Sequence, residues 1–110
     1  MKHEIHDDAL VLQPLGRIDG GTAGAFETAS LALIEPKTAH VVIDMSRVDY
    51  LSSAGLRSLL IIAKRVKSDG GAASLCGLAG NVAEVIAVSG FDSIYSVFPD
   101  ADAARLSRSA

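Results

Sequence analysis

Two adjacent serines, Ser52 and Ser53, stand where an extended run gives way to a helical one, and that position carries chemistry. Upstream, Val41 to Ile43 has the β-branching of a buried strand and stops at Asp44 and Ser46, residue types that prefer turns to ladders. Met45 to Asp49 reads as a short polar link, followed by Tyr50 and Leu51. Downstream, Leu56, Leu59, Leu60 and Ala63 recur at i, i+3, i+4 and i+7, the one-face pattern of a helix. Either serine can cap that helix by accepting a hydrogen bond from a first-turn N–H. The same unpaired N–H groups, with the positive end of the helix dipole, favour an anion. A phosphate on either hydroxyl is therefore well placed. The plainer alternative is that Ser52 is an ordinary N-cap and Ser53 a small residue tolerated in the first turn, and this stretch alone leaves both open.

Other chemistries lack parts. A serine hydrolase needs a base and an oxyanion hole, yet Leu51 occupies the first glycine position of a G-x-S-x-G elbow. His3 and His6 lie near the terminus, and His40, just before the central strand, is expected at the surface. Three scattered histidines and one cysteine have no zinc-ligand spacing, so no metal is expected. Gly16, Gly20, Gly21 and Gly24, or Gly77 and Gly80, form neither G-x-G-x-x-G nor a P-loop, so no nucleotide cofactor is expected and they read as turn residues. Asp44, ending the central strand, is read as structural. Arg57, Ile61, Lys64 and Ser68 lie on the helix face away from Leu56, Leu59 and Ala63, which makes Ile61 a candidate partner contact.

The elements that must position the serines follow from the chain in order. His3 to Ile5 reads as an edge strand, Asp7-Asp8 as a turn and Ala9 to Leu15 as its hairpin partner. Gly16 to Gly21 breaks the strand, Thr22 is placed to cap a first helix with Phe26, Ala29, Ser30 and Leu33 on one face, and Pro36 stops it. After the serine-capped helix, Asp69-Gly70-Gly71 closes the turn and Ala72 to Gly77 reads as a strand. Asn81 with Glu84 resembles a capping box opening a third helix from Val82 to about Val88. Ile94 to Phe98 reads as a last strand, Asp100 as the cap of a final helix, and the tail from Ser107 as frayed. Strands alternating with helices after a hairpin imply an α/β layer structure. The right-handed crossover rule puts the serine loop at the carboxyl edge of the central strand, the usual seat of function in open α/β sheets.

The 110 residues, 49% of them hydrophobic, suffice for a single domain with a real core, and a net charge of -3 gives no nucleic-acid footprint. The sole cysteine, Cys76, excludes an internal disulfide framework and reads as a small buried hydrophobe in a reducing cytoplasm. The start M-K-H-E-I-H-D-D lacks the apolar core of a signal peptide, and no apolar run approaches the ~20 residues that span a bilayer. A soluble cytoplasmic protein without membrane insertion is expected.

The run Asp44-x-Ser46-x-Val48-x-Tyr50-x-Ser52-Ser53-Ala54-Gly55-Leu56-Arg57-x-Leu59 resembles the signature of the STAS domain, the fold of bacterial anti-sigma factor antagonists. V-S-G-F-D-S-I-Y, within Val82 to Tyr95, is similar to that family's third helix, turn and final strand, and G-R-I-D resembles its G-x-[LI]-D element. The resemblance implies a STAS fold over residues 1–110: a mixed sheet of about four to five strands with an N-terminal hairpin, against about four α-helices. It implies phosphorylation of Ser53, or less readily Ser52, by an anti-sigma factor serine kinase, and reversal by a PP2C-type phosphatase. Partner contacts are implied at Asp19, Ser52, Ser53, Ala54, Gly55, Arg57 and Ile61, with no cofactor, catalysis or direct nucleic-acid contact. Asp19, taken alone, is equally a turn or cap residue. The alternative is a non-switching STAS subunit of a larger assembly, similar to the small cytoplasmic component of a lipid-transport ABC system.

Overall fold

A computed structural model of the chain describes residues 1–107. Lys2–His6 (β1) and Ala9–Gln13 (β2) form an antiparallel hairpin, with Asp7 of its turn at φ 57, a conformation Asp tolerates better than most side chains. Then come Gly16–Ile18 (β3), helix Ala23–Leu33 (α1), His40–Asp44 (β4), Val48–Leu51 (β5), helix Ser53–Ser68 (α2), Ala72–Cys76 (β6), helix Gly80–Ser89 (α3), Ser96–Phe98 (β7) and helix Ala101–Leu106 (α4). The main sheet has the order β1-β2-β4-β6-β7, parallel except at the hairpin. The expected mixed sheet, opening hairpin and four α-helices are therefore all present. Among the described residues no helix is long and apolar enough to cross a membrane.

The continuous apolar run of β4 follows from its central place. Val41 and Ile43 join Leu10, Leu12 and Leu75 of the flanking strands beneath Phe26, Leu59, Ile62, Val66, Val82 and Ile86 of α1, α2 and α3. One residue out of phase, Val42 joins Val11 and Cys76 on the other face, against Ala104 of α4. A strand covered on both faces has no polar side to alternate with. Each such aliphatic side chain contributes ~1.5–3 kcal/mol relative to exposure.

Several expectations are corrected. Gly16 to Gly21 does not merely break the chain, and Met45 to Asp49 is not merely a link: β3 and β5 pair in parallel as a separate two-stranded ribbon. Ala9 to Leu15 stops pairing at Gln13, because Pro14 has no N–H to donate. Thr22 holds the cap position of α1, but its hydroxyl accepts from Asp19 N at 2.9 Å instead of from the helix. On α1, Phe26 and Ser30 are buried whereas Ala29 is exposed. The buried face of α2 is Gly55, Ser58, Leu59, Ile62, Ala63 and Val66, so Leu56 and Leu60 lie half-buried at its margin.

The capping-box reading of Asn81 also fails: Ala79 holds the cap position of α3, and Asn81 Oδ1 instead accepts from Leu51 N at 3.2 Å. Ile94 and Tyr95 precede the last strand, and the Tyr95 hydroxyl, buried, donates to Leu59 O at 2.6 Å. His40 is buried, not superficial, with Nε2 at 2.7 Å from Ser74 Oγ, because it is the first residue of the central strand, between Ala9 and Ala72. Asp100 caps α4 through Ala103 N at 2.8 Å as expected. Ser107 itself closes α4, and the rest of the tail expected to fray lies outside the described residues.

Candidate functional site

The site grows from the ribbon. β3 and β5 run side by side with Arg17 opposite Tyr50 and Ile18 opposite Leu51. Both strands end there, so the next residues, Asp19 and Ser52, start two neighbouring loops at one edge. Ile18 and Leu51 face the core, and their neighbours Arg17 and Tyr50 face outward.

Ser52 is welded to this edge. Its N–H donates to Ile18 O at 3.0 Å and its hydroxyl to the same oxygen at 3.3 Å. Its Oγ accepts from Gly55 N at 3.4 Å, and its carbonyl accepts from Leu56 N at 2.9 Å, which makes it the N-cap of α2. Gly55 is required by the crossing of α2 over β3. A β-carbon there would stand 2.7 Å from Ile18 O and 2.5 Å from Leu51 Cδ1. Ala54 is half-buried against the core. Ser53, the first helical residue, is exposed, and its hydroxyl has no hydrogen-bond partner among the described residues. Of the two serines, one hydroxyl is engaged as a cap and the other is presented to solvent.

Asp19 is both a turn residue and a neighbour of the serine loop. Its Oδ1 accepts from Gly21 N at 3.0 Å, with the Thr22 hydroxyl 3.2 Å away, and its Oδ2 accepts from Arg17 Nε at 3.0 Å. The Arg17 guanidinium, helped by the Gly21 N–H and the Thr22 hydroxyl, holds the carboxyl below the usual carboxylate range. That guanidinium also lies over the Tyr50 ring, 4.1 Å from its centroid. Arg17 and Tyr50 were not singled out by the sequence reading. Their signal is two-residue alternation, which becomes visible once the β3–β5 register is known.

The remaining expected site residues lie farther along α2. Arg57 is exposed one turn beyond Ser53 and Ile61 is half-buried two turns beyond, about 12 Å along the axis from Ser53 at 1.5 Å per residue. Asp19, Ser52, Ser53, Ala54 and Gly55 are thus brought together, while Arg57 and Ile61 extend a stripe away from them. Asp44 serves the preceding turn, its Oδ1 accepting from Ser46 N at 3.0 Å. Gly77, at φ 69, lets β6 leave beside that turn, since a β-carbon there would stand 2.9 Å from Ser46 N. Cys76 is buried, and burial together with the nearby Asp44 charge pushes its thiol up to about 12. Among the described residues no cluster of three or more His, Cys, Asp or Glu side chains forms a metal-ligand set. His40 stands at the opposite end of β4 from the serine loop.

A parallel-stranded sheet opened by an antiparallel hairpin, with a capped serine loop leading into α2, is the architecture of the STAS domain. The STAS domain family model matches residues 1–104, and the chain belongs to that family. Among its relatives, BtrV of Bordetella bronchiseptica, a candidate anti-sigma factor antagonist, is 37% identical over 98 residues, covering 89% of this chain and 84% of that protein. The crystal structure of an anti-sigma factor antagonist from Mycobacterium paratuberculosis is 28% identical with a TM-score of 0.86, covering 99% of this chain and 92% of that one. A candidate antagonist from Thermotoga maritima, at 21% identity, shares the fold with a TM-score of 0.91, covering 99% of this chain and 94% of that one.

Proposed function

We propose that this chain is an anti-sigma factor antagonist that works by partner switching. In this reading the unphosphorylated protein binds an anti-sigma factor that is also a serine kinase, and the sigma factor that partner held is released. The partner then transfers the γ-phosphoryl group of its ATP to Ser53. The Ser53 Oγ–P bond forms, the bond to ADP breaks and the hydroxyl proton passes to a base of the partner. The complex separates, and a PP2C-type phosphatase hydrolyses the ester to restore the serine. Residues 1–110 act as one STAS domain in the cytoplasm, with no catalytic group, cofactor, nucleic-acid contact or membrane insertion of their own.

The observation that carries this reading is the division of labour between the serines: Ser52 Oγ is occupied as cap and tether, while Ser53 is exposed and its Oγ is unengaged among the described residues. The names of the relatives support the functional class. The physics of the switch is local. Phosphorylation adds about -1.5 to -2 charge and three strong acceptor oxygens, which inside a packed interface costs desolvation and adds like-charge repulsion beside the ionised Asp19. On the free protein the N-terminus of α2 favours the same charge. Asp19, Ser52, Ser53, Ala54 and Gly55 form the centre of the partner footprint, and Arg57 and Ile61 continue it along α2.

The test is the intact mass of the protein from growing and stressed cells, with the modified peptide mapped. One phosphoryl group on Ser53 whose occupancy changes with conditions supports the switch. Its absence in every condition, with the protein held constantly on an ATPase subunit, would overturn it.

A further inference from the structure

The Asp19 carboxylate is held from two sides. The Gly21 N–H and the Thr22 hydroxyl on its own loop orient Oδ1, and turn residues commonly do as much for an Asp. Oδ2 is different, because its partner, Arg17 Nε, comes from the middle of strand β3 and is itself fixed, with its guanidinium over the face of Tyr50 on β5. A long side chain that is 59% exposed ordinarily samples many rotamers. Here a planar group is stacked on one side and hydrogen-bonded along its edge, the two-point geometry for which guanidinium is suited and ammonium is not. The chain from Tyr50 through Arg17 to Asp19 therefore connects the strand that delivers Ser52 and Ser53 to the loop beside them.

We propose that Arg17 is the positioning residue of the Ser53 site: stacked on Tyr50, it fixes the Asp19 carboxylate at the edge that the kinase partner covers. This rests on the reading of Ser53 as the phosphoacceptor and adds to it a side chain outside the serine motif. Arg17 is also the charged side chain that acts on Asp19, so its removal changes the titration of that carboxylate as well as its orientation. Tyr50 acts one step further back by holding Arg17.

The test combines two measurements on the full chain. Carboxyl carbon NMR titration of Asp19, which needs no partner, is expected to show a midpoint below the ordinary Asp value in wild type. It shifts upward in Arg17→Ala, with a smaller shift in Arg17→Lys and in Tyr50→Leu. Allelic replacement in the protein's own cells, read as Ser53 phosphate occupancy by mass spectrometry, is expected to show a several-fold fall in Arg17→Ala and partial rescue in Arg17→Lys. Arg17→Ala added to Asp19→Asn is expected to cause no further loss, because the two act as one unit. Thermal melts within a few degrees of wild type confirm that each variant folds. Phosphorylated wild type with equal occupancy in Arg17→Ala, or an Asp19 midpoint that does not move, overturns the role of Arg17 alone. Wild type that never carries phosphate overturns the Ser53 reading and the role assigned to Arg17 with it.

Discussion

Gly55→Ala puts the packing of α2 on the ribbon to a quantitative test. The added carbon would stand 2.5 Å from Leu51 Cδ1, 2.7 Å from Ile18 O and 3.0 Å from Ile18 Cγ2, where optimal contacts run at ~3.5–4.0 Å. Leu51 can change rotamer, but Ile18 O is backbone and already accepts from Ser52 N at 3.0 Å. The first turn of α2 must therefore lift by about 1 Å, stretching the hydrogen bond that holds the serine loop to β3. Overpacking of this kind costs ~1–3 kcal/mol, and the weakened hydrogen bond adds ~1 kcal/mol. Alanine recovers at most ~1 kcal/mol through its better helix propensity. The net loss is about 1–3 kcal/mol, which for a chain of this size lowers Tm by ~5–15 °C. Scanning calorimetry of the two proteins measures it, and faster hydrogen exchange at the Ser52 amide locates it. A variant with equal or higher Tm would show that α2 has slack over β3 and that Gly55 is not there for want of space.

Five further expectations come from the same geometry. Ser52→Ala should cost ~0.5–1 kcal/mol, the low end for a lost cap because its bond to Gly55 N is long at 3.4 Å, and phosphate in the variant should still map to Ser53 by mass spectrometry. Ser53→Ala should keep stability within ~0.5 kcal/mol of wild type and bind the partner constitutively, while Ser53→Asp binds weakly; equal binding by these two and wild type in a pull-down would remove the switch. Asp19→Asn should lower phosphorylation more than Tm, because one of two acceptor oxygens becomes a donor facing Arg17 Nε or Gly21 N. Its depressed carboxyl stabilises the fold above the ordinary value near 3.9 and loses that effect as pH falls through the lower folded value, so the variant's acid melt should lack this limb. Cys76, raised to about 12, contributes stability that is full below its unfolded value near 9.0 and is lost as pH rises from there; maleimide labelling at pH 8 should be negligible in the native state and rapid in urea. Tyr95→Phe should cost ~1–2 kcal/mol in a urea titration, since it removes a buried donor at 2.6 Å from Leu59 O, and an unchanged midpoint would count against that bond.

What the chain discloses locally and what it hides divide along a physical line. β4 and α2 were legible because burial on both faces leaves V-V-I unbroken, and because one buried face repeats over the 16 residues of α2. Even there the phase was off: Ser58, with its hydroxyl on Ala23 O at 3.1 Å, lies inside, while Leu56 lies at the margin, since α1 offers an acceptor that a hydrophobicity pattern does not register. The ribbon was illegible for another reason. Its core residues, Ile18, Val48 and Leu51, are interleaved with Arg17, Asp49 and Tyr50 in strands of three and four residues, too short for alternation to stand out, and they pair across more than 30 positions. Asn81 suited a cap by sequence but found Leu51 N, a partner 30 residues away, and His40 looked exposed because no local pattern marks the first residue of a central strand. The serine motif itself was legible as a string, yet its meaning is not contained in the string. Gly55 is small because Ile18 O passes beneath it, Ser52 is fixed because the same oxygen receives both its N–H and its hydroxyl, and Ser53 is left free because Ser52 has taken the cap. One backbone carbonyl in the strand that sequence reading missed thus bears on which of two adjacent hydroxyls is engaged and which faces solvent. A change at Ile18 that shifts this carbonyl should redistribute reactivity between Ser52 and Ser53 without touching either.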